Sequence, residues 1–252
     1  MKILVCGYGF VGKAHALSLE GSLSGITTCV YDPALGYNTF PEEMDAAIIA
    51  VSTPIGYNGQ CYMDNVYKCL EMIPEGIPIL IKSTISLEGW RLIQRVYPKN
   101  NISFSPEYLR AAHALEDFKS QTRIQIGGGD VVFWTDVIGE SIKNITWSVA
   151  NPEELILTKY ARNSFLALKV SFFNQMYDLC EKTGVDYNTV SYLSGLDHRI
   201  GDSHTKITKE RGFGGHCFPK DTAALVATAK EYECELSILE EAIKYNERIK
   251  RG

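Results

Sequence analysis

No two cysteines of this sequence form a C-x-x-C pair, and none has the spacing of metal ligands. The seven that occur, at 6, 29, 61, 69, 180, 217 and 234, are odd in number and dispersed. That pattern fits free thiols in a reducing compartment better than a disulfide framework. Excess positive charge is missing too. Twenty-five Lys and Arg face 30 Asp and Glu, a net charge of −5, which argues against a general binder of nucleic acid or anionic membrane. No apolar run approaches the roughly 20 residues that span a bilayer. Met1-Lys2-Ile3-Leu4-Val5 runs straight into Gly7, leaving no room for the apolar core of a signal peptide. Repeats, low-complexity tracts and long linkers are likewise not found. The expectation is a soluble, cytoplasmic protein with no resident metal and neither nucleic acid nor membrane as partner. What remains is ordinary: 252 residues, 45% hydrophobic and 22% charged, enough for one large domain or for a domain with a smaller companion.

The first half reads as strands alternating with helices. An apolar run over 2–6 ends at Gly7-Tyr8-Gly9-Phe10-Val11-Gly12, and a helical pattern follows to about Leu19. G-x-G-x-x-G between a strand and a helix lets a pyrophosphate approach the backbone, where free helix N–H groups hold its charge. A second apolar run, Thr27 to Tyr31, ends in Asp32, about 20 residues beyond Gly12, where a carboxylate accepts the adenosine ribose hydroxyls. The same carboxylate repels a 2′-phosphate, so NAD is the expected cofactor rather than NADP. Further strands are expected over 46–51, 78–82, 101–104 and 123–127, with helices near 62–73, 86–97 and 131–143. Continuous apolar strands separated by helices predict an α/β fold with a doubly wound parallel sheet of Rossmann type over residues 1–150.

Ligands of such sheets lie at the C-terminal strand ends. Three of those ends carry Ser52-Thr53-Pro54, Lys82-Ser83-Thr84 and Ser105-Pro106-Glu107. The hydroxyls can face a dinucleotide or simply cap helices. Glu107 can be a general base, a substrate ligand or the first residue of a loop.

Residues 151–252 predict an all-helical domain with one long central helix. Asn151-Pro152-Glu153-Glu154 is a helix start, and no glycine or proline interrupts the run until Gly184. Apolar residues spread around this helix, which implies burial on several sides and suggests a dimer interface. Lys159 and Asn163 share one face at i,i+4. Because burying them is costly unless both are satisfied, the residues taken alone predict a solvent-facing pair. Shorter helices are expected over 187–194, 222–232 and 236–250. Between them, Arg211-Gly212-Phe213-Gly214-Gly215-His216-Cys217-Phe218-Pro219-Lys220-Asp221 places a thiol at the end of a glycine-rich loop. His216 and Lys220 can both carry positive charge, the setting in which a cysteine serves as nucleophile. Asp221 suits the first turn of the helix that follows. The plain alternative is a tight turn with a structural cysteine.

Together these residues resemble the UDP-glucose/GDP-mannose dehydrogenases, the nucleotide-sugar 6-dehydrogenase family. The resemblance rests on Gly7-x-Gly9-x-Val11-Gly12, Ser52-Thr53-Pro54, Lys82-Ser83-Thr84, Ser105-Pro106-Glu107-Tyr108-Leu109-Arg110, Lys159-x-x-x-Asn163 and Gly212 through Asp221, in the family's order. It implies an NAD-dependent, four-electron oxidation of a nucleotide sugar, with UDP-glucose the expected substrate, in a homodimer. Cys217 would attack the aldehyde and carry a thiohemiacetal and then a thioester. Lys159 would stabilise the oxyanion, Asn163 and Asp221 would position water and assist proton transfer, and Glu107 would be the base for thioester hydrolysis. The cofactor set would be Gly7, Gly9, Phe10, Val11, Gly12, Asp32, Thr53, Thr84 and Lys220. Ala111 stands where members often have a second Glu, His216 where Ser is common and Tyr108 where Phe is common. Family members continue into a second Rossmann-like domain that holds much of the nucleotide, whereas this sequence stops at Lys250-Arg251-Gly252. A non-catalytic short form that binds NAD or nucleotide sugar is one alternative. Another is a hydroxyacid or 6-phosphogluconate-type dehydrogenase, which shares the Lys-x-x-x-Asn helix but needs no thiol.

Overall fold

The computed structural model describes residues 1–21 and 25–251, the last of these by its backbone only. The chain divides into two compact units, Met1–Pro54 with Cys61–Thr158, and Ile55–Gln60 with Lys159–Gly252.

The first unit is built on β1 (Lys2–Cys6), α1 (Phe10–Glu20), β2 (Thr27–Tyr31), β3 (Ala46–Ile49), α2 (Asp64–Met72), β4 (Pro78–Ile81), α3 (Leu87–Val96) and β5 (Asn101–Phe104). Its strands form one parallel sheet in the order β2-β1-β3-β4-β5. Strands buried on both faces read as unbroken apolar runs, and Ile3, Leu4, Val5, Ile48, Ile49, Ile79 and Leu80 are all fully buried. The register Val5↔Ile48 and Cys6↔Ile49 places the ends of β1 and β3 side by side. Because β2 leaves β1 on one side and β3 joins it on the other, the order of winding reverses between β1 and β3. A crevice for ligand opens at such a reversal.

Then come α4 (Ala114–Ser120), β6 (Arg123–Ile126), α5 (Val131–Gly139) and β7 (Thr146–Val149). β6 and β7 pair in parallel as a second sheet, and a bridge from Phe104 to Gly127 links β5 to the end of β6. Neither α4 nor β7 is expected from the sequence. β7 is Thr-Trp-Ser-Val with three of its four residues exposed, so no hydrophobic run announces it. Its pairing with β6 is what defines it as a strand.

α6 (Pro152–Thr183) has 32 residues. A reciprocal cap opens it: Asn151 Oδ1 accepts the Glu153 N–H at 2.9 Å, and Glu154 Oε2 accepts the Asn151 N–H at 3.0 Å. From Lys159 onward it belongs to the second unit, with α7 (Tyr187–Gly195), α8 (Phe218–Glu231) and α9 (Ser237–Arg251). Phe173, Cys180 and Tyr187 form a small core there, packed by Met176, Tyr177 and Ile207. α8 starts at Phe218, four residues before the expected start at 222. Pro219 lies in its first turn, where a missing N–H costs nothing and the fixed φ already suits a helix.

Candidate active site

In the first unit the glycine turn joins β1 to α1. Gly7 has φ +87°, and a Cβ there would come within 2.6 Å of the Ala50 carbonyl oxygen. A Cβ on Gly12 would lie 1.9 Å from the Gly7 oxygen, so the helix can pack on the turn only if residue 12 has no side chain. Gly9 differs, since nothing lies within 4 Å of its Cβ position. Two glycines therefore close the turn, and the third leaves open space beside the start of α1, where Phe10 and Val11 begin the helix. This is the fit a pyrophosphate requires. Asp32 ends β2, and its Oδ2 accepts the Tyr8 N–H at 2.7 Å, tying the turn to the second strand. Thr53 is buried after β3 and Thr84 half-buried after β4. Ser83 Oγ donates to the Val51 carbonyl at 2.8 Å, joining these two strand ends.

Glu107, after β5, is buried. Lys82 Nζ lies 3.1 Å from its Oε2, and His15 Nε2 lies 3.3 Å from the same oxygen. Oε1 accepts the Tyr108 N–H at 3.0 Å. Burial alone would raise this carboxyl's pKa, but the Lys82 charge and the hydrogen bonds from His15 and the Tyr108 amide together hold it at about 2. Lys82 also donates to Ser105 Oγ at 2.9 Å. Neither His15 nor Lys82 stands out in the sequence as a partner of Glu107. His15 lies 92 residues away in an apolar helix. The available signals are a histidine between Ala14 and Ala16, and a lysine at the end of an apolar strand.

The second unit holds the thiol. Cys217 is the N-cap residue of α8 and is half-buried. Its carbonyl accepts the Asp221 N–H at 2.8 Å, so Asp221 lies one turn further along. Asp221 is fully buried between two partners, Asn163 Nδ2 at 2.5 Å and Lys220 Nζ at 2.6 Å. Lys159 and Asn163 are each 6% exposed, so the solvent-facing reading of this pair is corrected. α6 is covered on that face, and Asn163 is satisfied by a carboxylate of α8. One helical turn separates Lys159 from Asn163, which brings thiol, carboxylate, amide and amine to one pair of helices.

The loop ahead of the thiol is clamped on both sides. Arg211 donates to Asp178 Oδ1 at 2.7 Å and to Asn174 Oδ1 at 2.8 Å on α6, and its guanidinium lies 4.8 Å from the centre of the Tyr177 ring. Asn246 of α9 accepts the Phe213 N–H at 2.6 Å and donates to the Phe213 carbonyl at 3.0 Å.

A parallel sheet with a glycine turn at its winding reversal is a dinucleotide-binding fold. The profile of the UDP-glucose/GDP-mannose dehydrogenase family matches the chain in two parts, its NAD binding domain over residues 26–137 and its central domain over 154–248. UDP-glucose 6-dehydrogenase of Rhizobium meliloti (strain 1021) is 31% identical over 304 residues, an alignment covering 100% of this chain and 69% of that protein. The enzyme of that name from Rickettsia typhi is 34% identical over 83% of this chain and 51% of its own length. Among solved structures, a UDP-glucose dehydrogenase from the archaeon Pyrobaculum islandicum superposes with a TM-score of 0.85 at 30% identity, covering 98% of this chain and 68% of that one. The chain belongs to the UDP-glucose/GDP-mannose dehydrogenase family, a family of NAD-dependent nucleotide-sugar dehydrogenases. It spans between half and about two thirds of the length of these relatives.

Proposed function

We propose that this chain oxidises a nucleotide sugar, UDP-glucose in the first place, from the C6 alcohol to the carboxylate. Residues 1–150 serve as its cofactor domain and 151–252 as its thiol-bearing domain. The observation that carries the reading is the cluster of Cys217, Asp221 and Asn163, with Lys159 one turn before Asn163. NAD+, when bound on the glycine turn through Gly7, Gly9, Phe10, Val11, Gly12, Asp32, Thr53, Thr84 and Lys220, supplies the acceptor for each of two hydrides.

The chain's own residues do the rest. As the C6 alcohol loses a hydride it also gives up its hydroxyl proton, leaving an aldehyde. The Cys217 sulfur adds to the aldehyde carbon, and the Lys159 ammonium faces the oxygen on which charge develops. Loss of a second hydride and the hydroxyl proton converts this thiohemiacetal into a thioester on Cys217. Asn163 and Asp221 position a water, Glu107 takes its proton, the new C–O bond forms, and the C–S bond breaks to release thiolate and carboxylate. The sum is one alcohol, one water and two NAD+ giving one carboxylate, two NADH and three protons.

The decisive test is to count NADH per product with a panel of UDP- and GDP-sugars. The expected ratio is about two, and Cys217→Ala is expected to abolish net oxidation. One NADH per product, with turnover intact in Cys217→Ala, would point to a hydroxyacid or 6-phosphogluconate-type reaction. Calorimetric binding of NAD with no NADH from any sugar would mark a binding protein.

We further infer a cytoplasmic homodimer. Phe165, Phe172 and Leu179 recur every seven residues along α6 and are 66%, 56% and 53% exposed, an unpaired apolar stripe of the kind that pairs helices. Sedimentation at micromolar concentration is expected to give the mass of a dimer.

A further inference from the structure

His15 is a fully buried imidazole that the proposed chemistry does not use. It lies on α1, the helix that opens from the glycine turn, and its ring meets Phe118 of α4 edge-on at 4.4 Å between centroids. Nε2 faces Glu107 Oε2, whereas Nδ1 is buried with no hydrogen-bond partner among the described residues. An orphaned nitrogen at full burial is uncommon, because a buried polar atom normally finds a partner. A leucine would pack against Phe118 without that penalty, so packing alone does not account for a histidine here.

We propose that His15 is a positioning residue for Glu107. Its neutral ring donates from Nε2 to Oε2, so that the carboxylate keeps one orientation while Glu107 acts on the hydrolytic water. This deepens the function proposed above and rests on the role given there to Glu107.

The charges around the carboxylate support the assignment. Lys82 and His15 both meet Glu107, with the Tyr108 amide on the other oxygen and the Ser105 hydroxyl on Lys82. The Lys82 ammonium already meets this carboxylate, and a second cation buried beside it would be repelled by the first, which is costly. Burial accordingly pushes the His15 pKa down, with the Lys82 charge acting in the same direction, against the pull of Glu107. A neutral imidazole has one N–H, and only Nε2 has an acceptor in reach. The two donors also divide the work. An ammonium is a point charge that tolerates many directions, whereas a ring fixed by α1 and Phe118 approaches Oε2 along one line. Lys82 supplies charge and His15 supplies direction.

The test compares His15→Leu and His15→Gln in the full chain by rapid-quench kinetics. A side-chain amide can donate where Nε2 does, and a leucine cannot. In His15→Leu the first two NADH per site are expected at the unaltered rate, followed by a steady state about 10-fold slower as thioester accumulates on Cys217. KM for NAD+ is expected to stay unchanged, and the acid limb of kcat to move to higher pH. His15→Gln is expected to recover most of the rate. Unchanged steady-state turnover and pH profile in His15→Leu would overturn the proposal, as would a Gln variant no better than Leu.

A second measurement does not depend on turnover. Spectra of protein labelled with 15N-histidine are expected to show His15 with its proton on Nε2 at pH 7. A proton on Nδ1, or on both nitrogens, would overturn the assignment whatever the activity. Failure of the unaltered protein to make NADH would instead overturn the function proposed above, and the spectra would still decide the contact.

Discussion

Each unit buries one candidate carboxylate, and the two are accommodated differently. Glu107 in the first unit is compensated by residues remote in sequence, Lys82 from the end of β4 and His15 from α1. Asp221 in the second unit takes its cation from the adjacent residue, Lys220, and a neutral amide from Asn163 one helix away. The lysine beside Glu107 is itself buried, at 2% side-chain exposure, while Lys220 keeps 15%. The first arrangement is closed and depends on every member. The second leaves its cation able to reach water.

The sharpest way to break that contrast is Lys82→Met. It removes the cation from a buried pair, with an expected loss of about 3–5 kcal/mol of stability in urea denaturation. Adding Glu107→Leu to the same chain is expected to restore much of the loss, because both members of the pair are then gone. Acid is the next largest perturbation. The Glu107 carboxyl sits at about 2 in the folded protein against about 4.3 for an unperturbed glutamate, so its contribution of about 3 kcal/mol is full above about pH 5. It is expected to fade as pH falls through the window from 5 to 2. Glu107→Gln is expected to flatten the dependence of the urea midpoint on pH across that window. The smallest effect is expected at the other carboxylate. Asp221→Asn keeps the shape of the side chain and frees Lys220 to turn outward, so the cost is about 1–2 kcal/mol. NADH formation is expected to fall far more than stability does. A loss in Asp221→Asn as large as that in Lys82→Met would erase the distinction between the two arrangements.

Most of the strands were legible because their runs are mostly apolar. The runs beginning at Lys2, Thr27, Ala46, Pro78, Asn101 and Arg123 are all strands, and their ends fall within two residues of expectation. β7 was not legible, because an exposed Thr-Trp-Ser-Val carries no burial signal and becomes a strand through its partner. The start of α8 was misplaced because Pro219 reads as a break, although it is favourable in a first turn. At the candidate site, the motifs point to Cys217, Asp221, Lys159, Asn163 and Glu107 but not to His15, and environment could not be read in the same way. The spacing of Lys159 and Asn163 shows that they share a face. It does not show what covers that face, and Asp221, which satisfies the amide, is 58 residues away. The same holds for Glu107: it follows a proline at a strand end, while two of the three donors that set its ionisation, Lys82 and His15, come from other elements.

The hold of Asn246 on both backbone groups of Phe213 carries a consequence for the order in which this protein is made. The Cys217 sulfur leaves the ribosome about 30 residues before the amide that secures its loop, and at about 5–20 residues per second that interval is roughly 2–6 s. Through those seconds a nascent chain carries this thiol on an unlatched loop, even where the glycine turn, translated some 200 residues earlier, has had time to fold. Translation stalled just short of residue 246 is accordingly expected to yield chains whose Cys217 thiol reacts with alkylating reagents faster than in the folded protein.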